Sequence, residues 1–146
     1  MSCYFPFGFF IKFFCSFLKD FISSEESSWQ MCVTLYAIHD AAGSSSFATF
    51  LVECIQTHPE HLSHTAYKRY SEFEKLRTQL EKAGLGADVP RLPQKTWFRR
   101  LNESFLIRRR RELNTWATHL SSTKRFTGSR RRQLAAIIRQ WLALPV

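Results

Sequence analysis

Lys68-Arg69-Tyr70-Ser71-Glu72-Phe73 sets a guanidinium beside an aromatic ring, where an extended segment gives way to a helix. That pairing suits an anionic, ring-shaped ligand: arginine grips phosphate as a fork of N–H donors, and tyrosine offers a flat face. A strand end with a solvated Arg and a core Tyr would look the same. Two further segments bear on the choice. Pro90-Arg91-Leu92-Pro93-Gln94-Lys95 is a stiff stretch ending in a cation, and Arg108 to Arg111 is a run of arginines. Periodicity singles out one member of that run. Leu106, Leu113, Trp116, Ala117 and Leu120 recur at helical spacing and define an inner stripe. Arg109 falls three residues after Leu106 and four before Leu113. It therefore points toward the core side, where an unpaired guanidinium is costly and needs an anion, a carboxylate or a polar ligand. Arg108 and Arg111 fall farther off this face, and Arg110 is the fallback for the inward position.

In this order and at these spacings, the three segments resemble the Phox-homology (PX) domain. That family carries an Arg-Tyr-x-x-Phe motif, then a Pro-rich loop ending in Lys, then a helix with one inward Arg. The resemblance covers Trp29 to the C-terminus. Gln94 departs from it, standing where many members have a second Pro before the Lys, but the PxxP frame and Lys95 are kept. The resemblance implies a cytoplasmic protein, peripheral on endosomal membranes, that binds phosphatidylinositol 3-phosphate. It implies that Arg69 holds the 3-phosphate, that Tyr70 packs under the inositol ring, and that Ser71 adds a hydroxyl or backbone contact to the same phosphate. It also implies that Lys95 meets the 1-phosphate and that Arg109 bonds the free 4- and 5-hydroxyls. The family's Arg likewise precedes its helix leucine by four residues. Trp97 and Phe98 follow Lys95 and are flanked by Arg99 and Arg100. Apolar tips ringed by cations suit a bilayer interface, and the family uses the corresponding loop for membrane insertion.

The chain has 146 residues and a net charge of +9, so one domain with anionic partners is expected. Charge alone does not choose among phosphoinositide membranes, nucleic acid and acidic proteins. Cys3, Cys15, Cys32 and Cys54 show no CxxC spacing and read as free thiols in a reducing compartment. His58, His61 and His64 recur every third residue, but Pro59 interrupts them in a turn, so no metal site is expected. Nothing resembles a nucleophile elbow, a phosphate-cradling Gly loop or a paired-carboxylate site. Neither an enzyme nor a cofactor is expected.

These residues need a frame. Gln30 to His39, Phe47 to Gln56 and Leu62 to Tyr70 read as strands with short links, with Met31, Val33, Leu35 and Ala37 sharing one face. Ser71 begins a helix with a Ser71/Glu74 capping box and the buried stripe Phe73, Leu76 and Leu80, stopped by Gly84 or Gly86. Asp88 to Gln94 should be extended. Its PxxP either attracts an SH3 domain or forms a rigid wall of the domain. A second helix runs from Asn102 to about Ser121, and a third from about Ser129 to Leu142 with Leu134, Ile137, Ile138 and Trp141 inward. Arg130, Arg131 and Arg132 crowd the start of that helix, where its dipole disfavours cations.

The predicted class is α+β: a three-stranded antiparallel β-meander packed against a helical subdomain, with a Pro-rich loop. Residues 29–146 form that domain, and residues 1–28 an aromatic-rich extension with a Ser-rich linker. In the extension, Phe7, Phe10, Phe14, Phe17 and Phe21 share one helical face. A helix in a membrane interface, a helix on the domain and an unstructured segment all remain open. Two rival functions also stand: a PX-like protein-interaction module without lipid binding, and a basic nucleic-acid binder. Ion-paired Arg69 or Arg109, for example with Glu72 or Glu112, would favour the first. A continuous basic stripe with exposed stacking aromatics would favour the second. The basic groups are scattered instead, so no nucleic acid is expected.

Overall fold

The computed structural model describes residues 29–40, 43, 45–56, 62–96, 101–122 and 124–143. The N-terminal extension, His58, His61 and the proposed insertion pair Trp97 and Phe98 lie outside the described residues.

Three strands, β1 (Trp29–His39), β2 (Phe47–Gln56) and β3 (Leu62–Lys68), form an antiparallel sheet in the order β1-β2-β3. Met31 and Val33 of β1 join Phe50, Val52 and Cys54 of β2 on the inner face. The alternation then breaks. Val33 pairs with Val52 but Leu35 pairs with Leu51, so Thr34 is an extra residue on β1. One extra residue inverts the pleat beyond it. Leu35, expected inside with Met31 and Val33, is 56% exposed, and Tyr36 packs against the core in its place. Cys32 and Cys54 are free thiols.

Helix α1 (Tyr70–Lys82) buries Phe73, Leu76 and Leu80 completely. It starts before Ser71. Arg69 is the N-cap, in extended geometry (φ −75°, ψ 159°), and its carbonyl accepts from the Glu72 N–H at 2.9 Å. No side chain caps this end, so the expected Ser71/Glu74 box is not formed. Ser71 lies inside the first turn, and Glu74 reaches Lys95 instead. The other end closes as anticipated at Gly84, whose φ of +76° suits a residue without Cβ. The Leu85 N–H donates to the Leu80 carbonyl and the Gly84 N–H to the Glu81 carbonyl, the Schellman pattern. A short 3-10 turn follows (Gly86–Asp88), so extended backbone begins at Val89 and not at Asp88.

Helix α2 (Glu103–Ser122) opens with the Asn102 carbonyl accepting from the Leu106 N–H, and its inner stripe is buried as the periodicity predicts. The helix also finishes the sheet. Ser121 Oγ accepts from the Met31 N–H at 3.1 Å, Asn114 Oδ1 accepts from the Val33 N–H at 2.8 Å, and Arg110 donates to the Val33 carbonyl at 3.4 Å. These contacts cover the open edge of β1 with side chains.

Helix α3 (Gly128–Ala143) turns Leu134, Ile138, Trp141 and Leu142 inward. Phe73 meets Trp116 and Trp141 edge-on at 6.1 and 5.3 Å, tying the three helices together. Both indoles are satisfied, by the Pro90 and Glu72 carbonyls respectively. Truncating Phe73 to Ala would cost about 3–5 kcal/mol. One of the three cations at the start of α3 has a local reason. Arg130 pairs with Asp88 at 2.9 Å, which offsets the unfavourable dipole. Among the described residues, no helix is long and apolar enough to cross a membrane.

Candidate ligand cleft

The end of β3, the Pro-rich segment, the start of β2 and helix α2 surround an open cavity of about 600 Å³. That volume fits a small ligand or a lipid headgroup. Arg69, Tyr70, Ser71, Lys95 and Arg109 all line it.

Arg109 forms the deep end. It is 4% exposed, and one amino group donates to the Gln94 carbonyl at 2.9 Å and lies 3.5 Å from Thr96 Oγ1. Its guanidinium carbon sits 4.6 Å from the Tyr70 ring centre and 5.2 Å from that of Phe105. The other amino group is buried and has no hydrogen-bond partner among the described residues. A buried N–H without an acceptor is unfavourable, so a ligand acceptor there would be stabilising. Tyr70 is pinned by its hydroxyl, which donates to the Pro93 carbonyl. Burial pushes its phenol pKa up, with Arg109 opposing.

Arg69 is exposed at the mouth. Its guanidinium carbon lies 3.4 Å from the centre of the Phe47 ring. Phe47 stacks in turn on His39, with centroids 5.0 Å apart and planes 19° from parallel. His39 is held by a 2.8 Å hydrogen bond between Nε2 and Thr49 Oγ1. Among the described residues, no carboxylate lies within ion-pair distance of Arg69 or Arg109. Glu72 is taken by Lys75 at 2.8 Å, and Glu112 lies 3.9 Å from Arg108. The arrangement differs at Lys95, whose Nζ sits 3.1 Å from Glu74 Oε2. Ser71 is exposed in the first turn of α1, where free backbone N–H groups favour an anion.

Helix α2 divides its arginine run as the spacing predicts. Arg109 faces the cleft, Arg108 and Arg111 are exposed, and Arg110 is committed to β1. The PxxP stretch is built into the wall, with the Pro90 carbonyl accepting from Trp116 and the Pro93 carbonyl from Tyr70. Sequence reasoning missed Phe47, Phe105 and Thr96. Phe105 stands four residues before Arg109, a same-face spacing that could have revealed it. Phe47 and Thr96 meet the arginines only through tertiary packing.

Comparison with known proteins agrees with this architecture. The sequence model of the PX domain matches residues 56–133. Sorting nexin-33 of Homo sapiens is 34% identical over 64 residues, covering 44% of this chain and 11% of that protein. Sorting nexin-33 of Xenopus laevis is 33% identical over 64 residues, covering 44% and 12%. The match thus spans about a ninth of the length of these relatives. Among solved structures, a designed CISK-PX domain superposes with a TM-score of 0.60 at 20% identity, over 79% of this chain and 99% of that one. The mouse SNX19 PX domain with bound sulphate ion superposes with a TM-score of 0.55 at 18% identity, over 81% and 98%. At these identities the two structures speak for the fold.

Proposed function

This chain belongs to the PX domain family of phosphoinositide-binding, membrane-targeting modules, and we propose that its own ligand is phosphatidylinositol 3-phosphate on endosomal membranes. One observation carries the reading: Arg69 and Arg109 line one cavity, and neither has a carboxylate partner among the described residues. In this reading Arg69 takes the 3-phosphate, Tyr70 supports the inositol ring, Ser71 adds to the phosphate contact and Lys95 meets the 1-phosphate. Arg109 takes the 4- and 5-hydroxyls. Its second amino group is buried without a hydrogen-bond partner among the described residues, so it has a donor left for a hydroxyl oxygen.

Residues 29–146 are the binding module in this proposal, and Trp97 and Phe98 enter the headgroup region beside it. PX domains are binding modules, not enzymes. A module that binds only proteins would be favoured by sequestered arginines, which the described ion pairs do not include. An SH3 partner on the PxxP stretch would have to compete with the Trp116 and Tyr70 hydrogen bonds.

The test is a vesicle-binding panel across all phosphoinositides at physiological salt. The strongest binding is expected on phosphatidylinositol 3-phosphate. Equal binding to every anionic vesicle, fading together as salt rises, would replace recognition by diffuse attraction.

A further inference from the structure

We propose that Phe47 is a positioning residue for Arg69: its ring is the platform that holds the guanidinium flat at the cleft mouth with its N–H edge free for phosphate. The inference rests on the lipid-binding reading above and adds to it a residue outside the basic-aromatic motif. Three observations lead to it. The Arg69 guanidinium carbon lies 3.4 Å from the ring centre, directly against the ring face and closer than the other cation–ring approaches described. Phe47 is itself fixed, by the stack on His39 and by its place in β2, opposite His39 of β1. And Arg69 has no carboxylate within ion-pair distance among the described residues, so the ring supplies the orienting contact.

The chemistry explains why a ring serves better than an acid here. A carboxylate would occupy the same fork of N–H donors that a phosphate needs, and would cancel the charge. An aromatic face contacts the guanidinium plane and leaves its edge open. A long arginine side chain at an exposed position also loses much rotamer freedom when it grips a ligand. A platform that has already ordered it lowers that cost. Arg109 is supported in a related way, near both Tyr70 and Phe105.

The experiment has two arms on the full chain. Vesicle binding, with and without phosphatidylinositol 3-phosphate, is measured for wild type, Phe47→Leu and Phe47→Tyr, each with a thermal melt. Phe47→Leu keeps an apolar side chain and should lose roughly three- to tenfold in affinity, whereas Phe47→Tyr keeps a ring and should stay within about twofold of wild type. The second arm needs no ligand. The Arg69 side-chain Nε–H proton of the wild type, observed by NMR, should carry an upfield ring-current shift that disappears in Phe47→Leu. Unchanged binding by Phe47→Leu, equal losses in Leu and Tyr, or no ring-current shift in the wild type would each overturn the platform. Should Phe47→Leu fail to fold, Phe47→Tyr and the wild-type spectrum still decide. A wild type that ignores the lipid yet shows the shift would refute the lipid reading and leave the stacking geometry standing.

Discussion

Glu74 holds Lys95 across the mouth of the cleft, with Nζ 3.1 Å from Oε2 and both side chains substantially exposed to solvent. The cation expected to meet the 1-phosphate therefore already has an anion. Phosphate must displace or share it. Glu74→Gln should free Lys95 and raise affinity for phosphatidylinositol 3-phosphate vesicles. An exposed pair is worth less than about 1 kcal/mol, so the gain should stay below roughly fivefold. A loss of affinity would mean that Glu74 positions Lys95 and does not compete for it.

Arg69→Gln should weaken vesicle binding by about ten- to a hundredfold, the worth of a charge-assisted phosphate contact of roughly 1.5–3 kcal/mol. Because Arg69 is exposed, its melting temperature should barely move. Wild-type binding by this variant would place the phosphate elsewhere.

Arg109 should behave differently from its neighbours. Arg109→Ala strips a donor from the Gln94 carbonyl and removes a buried group, so it should lose affinity and about 1–3 kcal/mol of stability. Arg109→Lys should not rescue binding, since an ammonium lacks both the fork and the flat face. Arg108→Ala and Arg111→Ala, at exposed positions, should change little at physiological salt. Equal effects across the run, read by calorimetry and vesicle binding, would contradict the division described for α2.

Tyr70 predicts an alkaline signature. Burial raises its folded pKa above the ordinary phenol value of 10.0. The folded state thus holds the proton more tightly than the unfolded chain. The resulting stabilisation is complete below the ordinary value and is lost as pH rises through the folded one. Tyr70→Phe should be destabilised by about 0.5–1.5 kcal/mol at neutral pH through loss of the bond to Pro93. Urea titrations at increasing pH should show that gap narrowing above pH 10. A constant gap would mean that the phenol is not protected.

Trp97→Ala with Phe98→Ala should weaken binding to vesicles and spare binding to a soluble short-chain headgroup. Burying one large aromatic is worth on the order of 1.5–3 kcal/mol, so the vesicle effect should be plain. Parallel loss of both activities would move these side chains into the core.

Much of this was legible from spacing alone. The inner stripes of α1 and α2 and the inward turn of Arg109 follow from a period that local geometry enforces. What escaped depended on contacts between distant segments or on a one-residue choice. Nothing in Gln30 to His39 marks Thr34 as an extra residue, because the bulge is defined by the partner strand. The start of α1 escapes local rules for a related reason. Ser71 has the better capping side chain, but Arg69 takes the cap by backbone geometry, and Glu74 has a partner in Lys95 from another segment. Phe47 lies 22 residues before Arg69, and no local rule joins them.

The cap at Arg69 has a consequence for how quickly and how firmly a ligand is held. Arg69 is the single residue between the end of β3 at Lys68 and the start of α1 at Tyr70, so a regular element fixes it on each side. On the proposed lipid reading, a headgroup reaching Arg69 meets main chain already set by those two elements, so this residue needs no backbone ordering of its own. Association should then be limited by encounter and steering by the basic surface. Differences in residence time among Arg69 variants should then come from individual side-chain contacts.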